Sequence, residues 1–301
     1  MKRQIVCFAV SCLLACSCTF AQPQDDSAAW KPVETALGRS GQMQPGDVYK
    51  FALPRRDMKV VKDGVTVAPG LALGGWVAFK KMGNEAMMMG DIGLSEEEIE
   101  PVMLKLQQEG IEQTAIHNHL LGESPRVIYM HIEGHGDPVA LAHSLASAIA
   151  LTKTPPPATT SSATHPTIDL KTTQVEQALG YSGKVNGGIL QFSVPRVEKI
   201  TDSGMEVPPA MGTATAINFQ PTDAGKAAIS GDFVLLASEV NPVIRALRAH
   251  GIEVEAMHNH MLNDQPHLYF MHFWANDDAT KLAQGLRAAL DETNSQKPQV
   301  K

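Results

Sequence analysis

Two stretches of this chain carry one histidine pattern twice. "IHNHLLGESPRVIYMH", residues 116–131, holds His117, His119 and His131. "MHNHMLNDQPHLYFMH", residues 257–272, holds His258, His260 and His272. A neutral imidazole is a common ligand of transition metals. Three that converge leave coordination positions open for water, as in catalytic zinc sites. Copper(II) and iron(II) also accept imidazole. The expected cofactor is therefore a divalent metal, zinc first and copper or iron after it, with a metal-bound water as a hydrolytic nucleophile. Asp91 and Asp232, each in a "GD" pair, are the matched acidic residues that add a further ligand. Glu123 and Asp264 also match in charge but fall in the turn. His135 has Asn276 as its counterpart, which argues against a shared role. The duplication could mean two packed hairpins, two metal sites, or one site shared by two domains; the expectation is a three-histidine site in each repeat, His117/His119/His131 in the first and His258/His260/His272 in the second.

The elements that position these groups follow from their spacing. Side chains alternate along a strand, so His117 and His119 share one face. "LGESP" and "LNDQP" hold turn-forming residues before a proline. A hairpin centred on Ser124 sets His117 opposite His131, and one centred on Gln265 sets His258 opposite His272. Opposed Cβ atoms lie roughly 4.5–5.5 Å apart, so three imidazoles converge on one face. The competing reading is a hydrogen-bonded polar network or a ligand-reading surface without metal. Met87–Met89, Met130, Met257 and Met271 hint at copper, since thioethers favour copper(I). As strand neighbours of the histidines they are expected instead in the core on the opposite face.

The hairpin sits inside a tandem repeat. "VETALGRSG" pairs with "VEQALGYSG", "FALPR" with "FSVPR", and both "GD" pairs and both "HNH" tripeptides recur. The expected organisation is a signal at 1–21, a first domain at 28–151, a Pro/Thr/Ser-rich linker at 152–167 and a second domain at 168–294. Each copy reads as a short opening helix, several β-rich segments, a helix, the histidine hairpin and a last helix. Pro101 and Pro242 suit first helical positions, with Asn241 as cap; Gly110 and Gly251 supply the stops, and Asp137 and Asp278 cap the last helices. Leu141, Leu145 and Ile149 match Leu282, Leu286 and Leu290 as core-facing stripes. The fold class is α+β: two duplicated domains, each a mostly antiparallel sheet with two or three helices. Arg55 and Arg196 match after a proline and read as surface or carboxylate-pairing groups rather than anion binders.

The chain has 301 residues, 44% hydrophobic and 19% charged, with a formal net charge of −7. That charge argues against a nucleic-acid partner, which needs a basic face. Lys2 and Arg3 precede an apolar run at 5–15, and "TFA" offers small residues before Gln22. This is an export signal, so an extracytoplasmic location is expected. "LLAC" also resembles a lipobox, with Cys16 as the acylated residue. Cleavage after Ala21 would instead leave no cysteine, because all four lie in the signal. Any membrane contact is expected only through a lipid on Cys16. Dinucleotide, phosphate-loop and serine-elbow fingerprints do not occur. "HNH" as a tripeptide is not the nuclease motif, and the helices around "HNHLLGE" argue against a cupin barrel.

Two copies of "ALG…SG", "GD", "HNH(L/M)L" and "P…(I/F)…MH" behind an export signal resemble the LppY/LpqO family of bacterial exported proteins and lipoproteins. The resemblance covers nearly all of the chain after the signal. It implies an exported protein, lipid-anchored or free, and transfers no substrate and no catalytic residue. The partner class left open is a small molecule or a cell-envelope component.

Overall fold

The computed structural model describes residues 26–156, 168–223 and 225–297. The segment expected to be an export signal and most of the expected linker lie outside the described residues. The first repeat has strands β1 (Gln42–Gln44), β2 (Val48–Pro54), β3 (Gly74–Met82), β4 (Glu85–Leu94), β5 (Glu112–Asn118) and β6 (Ile128–Gly136). Its main helices are α1 (Lys31–Leu37), α2 (Glu96–Gln108) and α3 (Pro138–Ile149). The second repeat has β7 (Lys184–Asn186), β8 (Ile189–Pro195), β9 (Ala214–Pro221), β10 (Lys226–Leu236), β11 (Glu253–His258) and β12 (Leu268–Asp278). Its helices are α4 (Thr172–Leu179), α5 (Ala237–Ala249) and α6 (Ala279–Asp291). Both sheets are antiparallel and share one order, β1-β2-β3-β4-β6-β5 and β7-β8-β9-β10-β12-β11.

Strand alternation gives each sheet two apolar faces. Phe51, Phe79, Met88 and Ile132 pack against Val102, Leu106, Leu141 and Leu145 of the helices. Phe192, Phe219, Phe233 and Phe273 do the same against Val243, Leu247, Leu282 and Leu286. On the opposite faces, Val48, Ala78, Met87 and Met89 of the first repeat share a core with Val234, Leu268 and Phe270 of the second. Leu71, Leu73 and Tyr129 likewise meet Ile189, Ala228 and Trp274. The two sheets thus pack face to face with helices outside, in four layers. Polar stitches cross the seam: Trp274 Nε1 donates to Asp63 at 2.9 Å, and Asn218 Nδ2 to the Leu71 carbonyl at 3.2 Å.

Three expectations need correcting. Helix α2 starts five residues before Pro101, and α5 five before Pro242; both prolines lie inside their helices. The starts are set by glutamates that reach back. Glu98 accepts the Ser95 amide at 2.9 Å, and Glu239 the Leu236 amide at 2.7 Å. Each proline then removes one early helix bond, a loss that packing on the sheet offsets. The histidine hairpins are also out of the expected register. His117 faces Tyr129 and His258 faces Phe270, while His131 and His272 face Ala115 and Ala256. The connection is not a tight turn. Ser124 exchanges both backbone bonds with Val61, and Glu123 and Asp264 accept the amides of Val127 and Leu268. A shift of two residues keeps the face, because strand side chains repeat every second residue. Third, the methionines divide. Met130 and Met271 lie on the helix side as expected. Met87 and Met89 instead fill the seam between the sheets, and Met257 is 55% exposed.

Arg55 and Arg196 are buried and carboxylate-paired. Arg55 Nη1 reaches Glu98 at 2.5 Å and its Nη2 reaches Asp57 at 2.7 Å. Arg196 holds Glu239 at 2.7 Å and Glu198 at 3.0 Å in the same way.

Candidate metal centre

The histidine faces of both hairpins point into the seam between the sheets. All six imidazoles meet there in one cluster. The rings of His117 and His258 stack at 3.6 Å between centroids, one from each repeat. His119 lies 4.1 Å from His272, and His131 lies 3.9 Å from His260. The expected separate three-histidine site in each repeat is therefore corrected to a single shared cluster. The reason is the face-to-face packing: the same surface of each copy is buried against the other.

The local sequence serves this placement. His117 is the last but one residue of β5 and His119 lies just past its end, where Tyr129 stacks under its ring at 3.3 Å. His260 sits equally on Phe270 at 3.4 Å. The asparagine between the histidines ties the repeats together. Asn118 Nδ2 donates to the Glu255 carbonyl at 3.3 Å, and Asn259 Nδ2 to the Thr114 carbonyl at 2.9 Å. Asp91 and Asp232 lie directly across from His131 and His272 on β4 and β10. The glycine before each aspartate lets the next strand close in. A Cβ on Gly231 would lie 2.0 Å from the Ala216 carbonyl oxygen, and one on Gly90 2.9 Å from that of Trp76.

Protonation follows from the hydrogen bonds. Nδ1 of His119, His260 and His272 lies 3.1, 3.1 and 2.8 Å from the carbonyl oxygens of Ala72, Gly212 and Gly231. A carbonyl only accepts, so each Nδ1 carries the proton and each Nε2 lone pair points inward. This is the support that orients metal-ligating histidines. The inward atoms then face other acceptors. His119 Nε2 lies 3.3 Å from Asp91 Oδ2, and His260 Nε2 lies 3.1 Å from Asp232 Oδ2. His272 Nε2 instead accepts from His117 Nε2 at 3.2 Å, because the His272 proton is on Nδ1. Ligand atoms around a tetrahedral zinc with bonds of 2.0–2.1 Å are themselves about 3.3 Å apart.

The remaining ring and carboxylate atoms make no hydrogen bond, and His131 Nε2 lies 3.9 Å from Asp91 Oδ1. Asp91 Oδ1, Asp232 Oδ1, His117 Nδ1, His131 Nε2 and both ring nitrogens of His258 are buried without a hydrogen bond. Each such atom costs about 1–3 kcal/mol unless something satisfies it. Burial, reinforced by the surrounding imidazoles, holds His117, His131 and His258 well below the ordinary histidine range. It brings His119 and His272 to about 4 and raises Asp91 and Asp232 to about 6. At neutral pH the cluster therefore offers neutral imidazoles and largely ionised carboxylates, the ligand states that metals require. Among the described residues, three groups bring one donor atom per residue within 4.8 Å of one another: His117/His119/His272, His117/His131/His258 and Asp232/His258/His260. The residues present fit a divalent transition metal. His135 is spent elsewhere, 2.8 Å from Glu133.

Sequence reasoning missed Lys50, Tyr129 and Phe270. Lys50 Nζ donates to the Ala210 carbonyl at 2.9 Å and sits 4.0 Å over the Trp76 ring. Burial pulls it down to about 8, partly opposed by Asp91. Tyr129 and Phe270 were legible in principle, two residues before His131 and His272 on the same strand face.

Comparison with known proteins gives a family and little else. No curated protein matches the chain. Two solved structures are similar at low identity. A trimeric bacterial microcompartment shell protein, PduB, is 12% identical over 84% of this chain and 89% of its own, with a TM-score of 0.20. EtuB from Clostridium kluyveri is 9% identical over 83% and 88%, with a TM-score of 0.20. At those scores the structures do not superpose as wholes, and neither bears on function. The model of the Domain of Unknown Function (DUF1259) matches residues 31–151 and again 173–292. Most of the chain is thus covered by two copies, and the protein belongs to the DUF1259 family as a tandem-domain member.

Proposed function

We propose that this is an exported metal-binding protein whose two repeats share one buried divalent-metal centre, of the LppY/LpqO type suggested by its motifs. The carrying observation is the cluster itself: six imidazoles and two carboxylates converge, with buried donor atoms left unpartnered. The donor set is imidazole and carboxylate, so zinc comes first, with copper or iron next and magnesium or calcium disfavoured. His117, His119, His131, His258, His260 and His272 are the proposed ligands, joined by Asp91 and Asp232.

The enclosure of the site supports metal holding over hydrolysis. Catalytic zinc keeps a position open to substrate, whereas structural sites are closed by protein donors. Here His117, His131, His260, His272 and Asp91 are buried, while His119, His258 and Asp232 are half-buried. Burial of the histidines also disfavours their use as a surface that reads a small molecule or an envelope component. The apolar run and "LLAC" at the N-terminus support the extracytoplasmic assignment.

The test is metal analysis of protein isolated from the cell envelope, with its mature N-terminus read by mass spectrometry. Wild-type protein is expected to retain stoichiometric zinc, copper or iron. His117→Ala and His258→Ala should each lower that content. Content unchanged by both substitutions would refute the metal reading, and an uncleaved N-terminus would refute export.

A further inference from the structure

The donors are too many for one ion and divide naturally into two. A single zinc takes four ligands, which leaves half of the eight side chains unused in a buried seam. The pseudo-symmetry of the repeats indicates the division. Each "HNH" tripeptide sends both histidines inward. Each also meets the strand histidine of the opposite repeat, His119 with His272 at 4.1 Å and His260 with His131 at 3.9 Å. Carboxylates complete the pattern: Asp91 is 3.3 Å from His119, and Asp232 is 3.1 Å from His260. His117 and His258 stack at the centre; His117 Nε2 is 3.2 Å from His272 Nε2 and groups with His119 and His272, His258 groups with Asp232 and His260, and a further grouping of His117, His131 and His258 bridges the two sets.

We infer that the seam holds two divalent ions with crossed ligand sets. One ion is held by His117, His119, Asp91 and the second repeat's His272. The other is held by His258, His260, Asp232 and the first repeat's His131. The inference rests on the metal reading above and adds to it the number of ions and the crossing. Each ion then joins both repeats, so neither repeat alone contains a complete site. Duplication without divergence of the histidines follows: losing one would open a site that belongs to both copies.

Native mass spectrometry of the full mature chain titrated with Zn²⁺ tests this. The wild-type chain should carry two zinc ions after desalting. Two double variants separate crossed from uncrossed ligand sets. His119→Gln with His272→Gln strips one ion of two ligands and spares the other, so one tight zinc should remain. His119→Gln with His131→Gln takes one ligand from each ion, so none should survive desalting. A wild-type count of one zinc overturns the two-ion inference while leaving a metal centre standing. Retention of one zinc by the His119/His131 pair and loss of both by the His119/His272 pair overturns the crossing. No zinc on the wild type would remove the parent reading as well. The wild-type count needs no variant to fold.

Discussion

Removal of divalent metal with a strong chelator should lower the melting temperature by on the order of 10 °C, and equimolar Zn²⁺ should restore it. A ligand that binds only the folded state stabilises it by about 4 kcal/mol when its concentration is 1,000 times Kd. In domains of 150–250 residues each kcal/mol moves Tm by about 2–4 °C. The site lies in the sheet-to-sheet seam, so the metal stabilises the pairing of the repeats as well as each hairpin. Without metal, the inward lone pairs of His119 and His260 face carboxylate oxygens at 3.3 and 3.1 Å with nothing positive between them except a proton. Differential scanning calorimetry before and after chelation reads the effect. A Tm unmoved by chelation in protein shown to have lost its metal would mean that the ion contributes nothing to the seam.

Arg55→Met should cost about 3–5 kcal/mol, because it leaves buried carboxylates without their cation. The Arg55 guanidinium binds Glu98, Asp57 and the Gly93 carbonyl, the last at 2.9 Å. Glu98 in turn accepts the amides of Ser95 and Lys153, so the loss reaches the start of α2 and the chain after α3. Arg196→Met should act alike through Glu239 and Glu198. Adding Glu98→Gln to Arg55→Met should recover part of the loss, since the second change removes the orphaned charge. The same pairing sets a pH dependence. Burial pushes Glu98 upward, but the two amides and Arg55 outweigh it and hold the carboxyl below 4.5. A depressed carboxylate favours the folded state above its unfolded pKa. That contribution is complete above about pH 5 and disappears as the pH falls through the lowered folded value. Urea melts of wild type and Arg55→Met at pH 7 should differ by the stated amount, and the difference should shrink as the pH falls through the lowered Glu98 value. Equal stability at pH 7 would show that the triad is dispensable.

Much of this architecture could be read from the residues. The duplication, the α+β class and the cap residues Asp137 and Asp278 all follow from local chemistry. Both aspartates accept first-turn amides of their helices, at 2.8 Å or slightly longer. Strand periodicity also places His117 and His131 on one face, although the register was two residues off. Register depends on how the connection is held, and Ser124 is held by Val61, more than sixty positions earlier. The helix starts were misplaced for a similar reason: Glu98 and Glu239 are anchored by arginines 43 residues upstream. What the residues could not reveal is that the two hairpin faces meet. A polar face with three histidines is compatible with solvent, with a metal in each copy, or with a partner surface. Only the apolar residues around it, such as Met89 and Phe270, decide for a buried seam, and their burial is a tertiary property. The doubled pattern is therefore better described as two halves of one site.

X-ray absorption at the edge of the retained metal tests that claim most directly. The retained metal should show nitrogen and oxygen neighbours only, at about 2.0–2.1 Å for zinc, with the outer-shell scattering of several imidazoles. His272→Ala should reduce the imidazole count at an ion whose other histidines lie in the first repeat. A spectrum of hydrated or sulfur-ligated metal, or one unchanged by His272→Ala, would contradict a metal centre shared between the repeats.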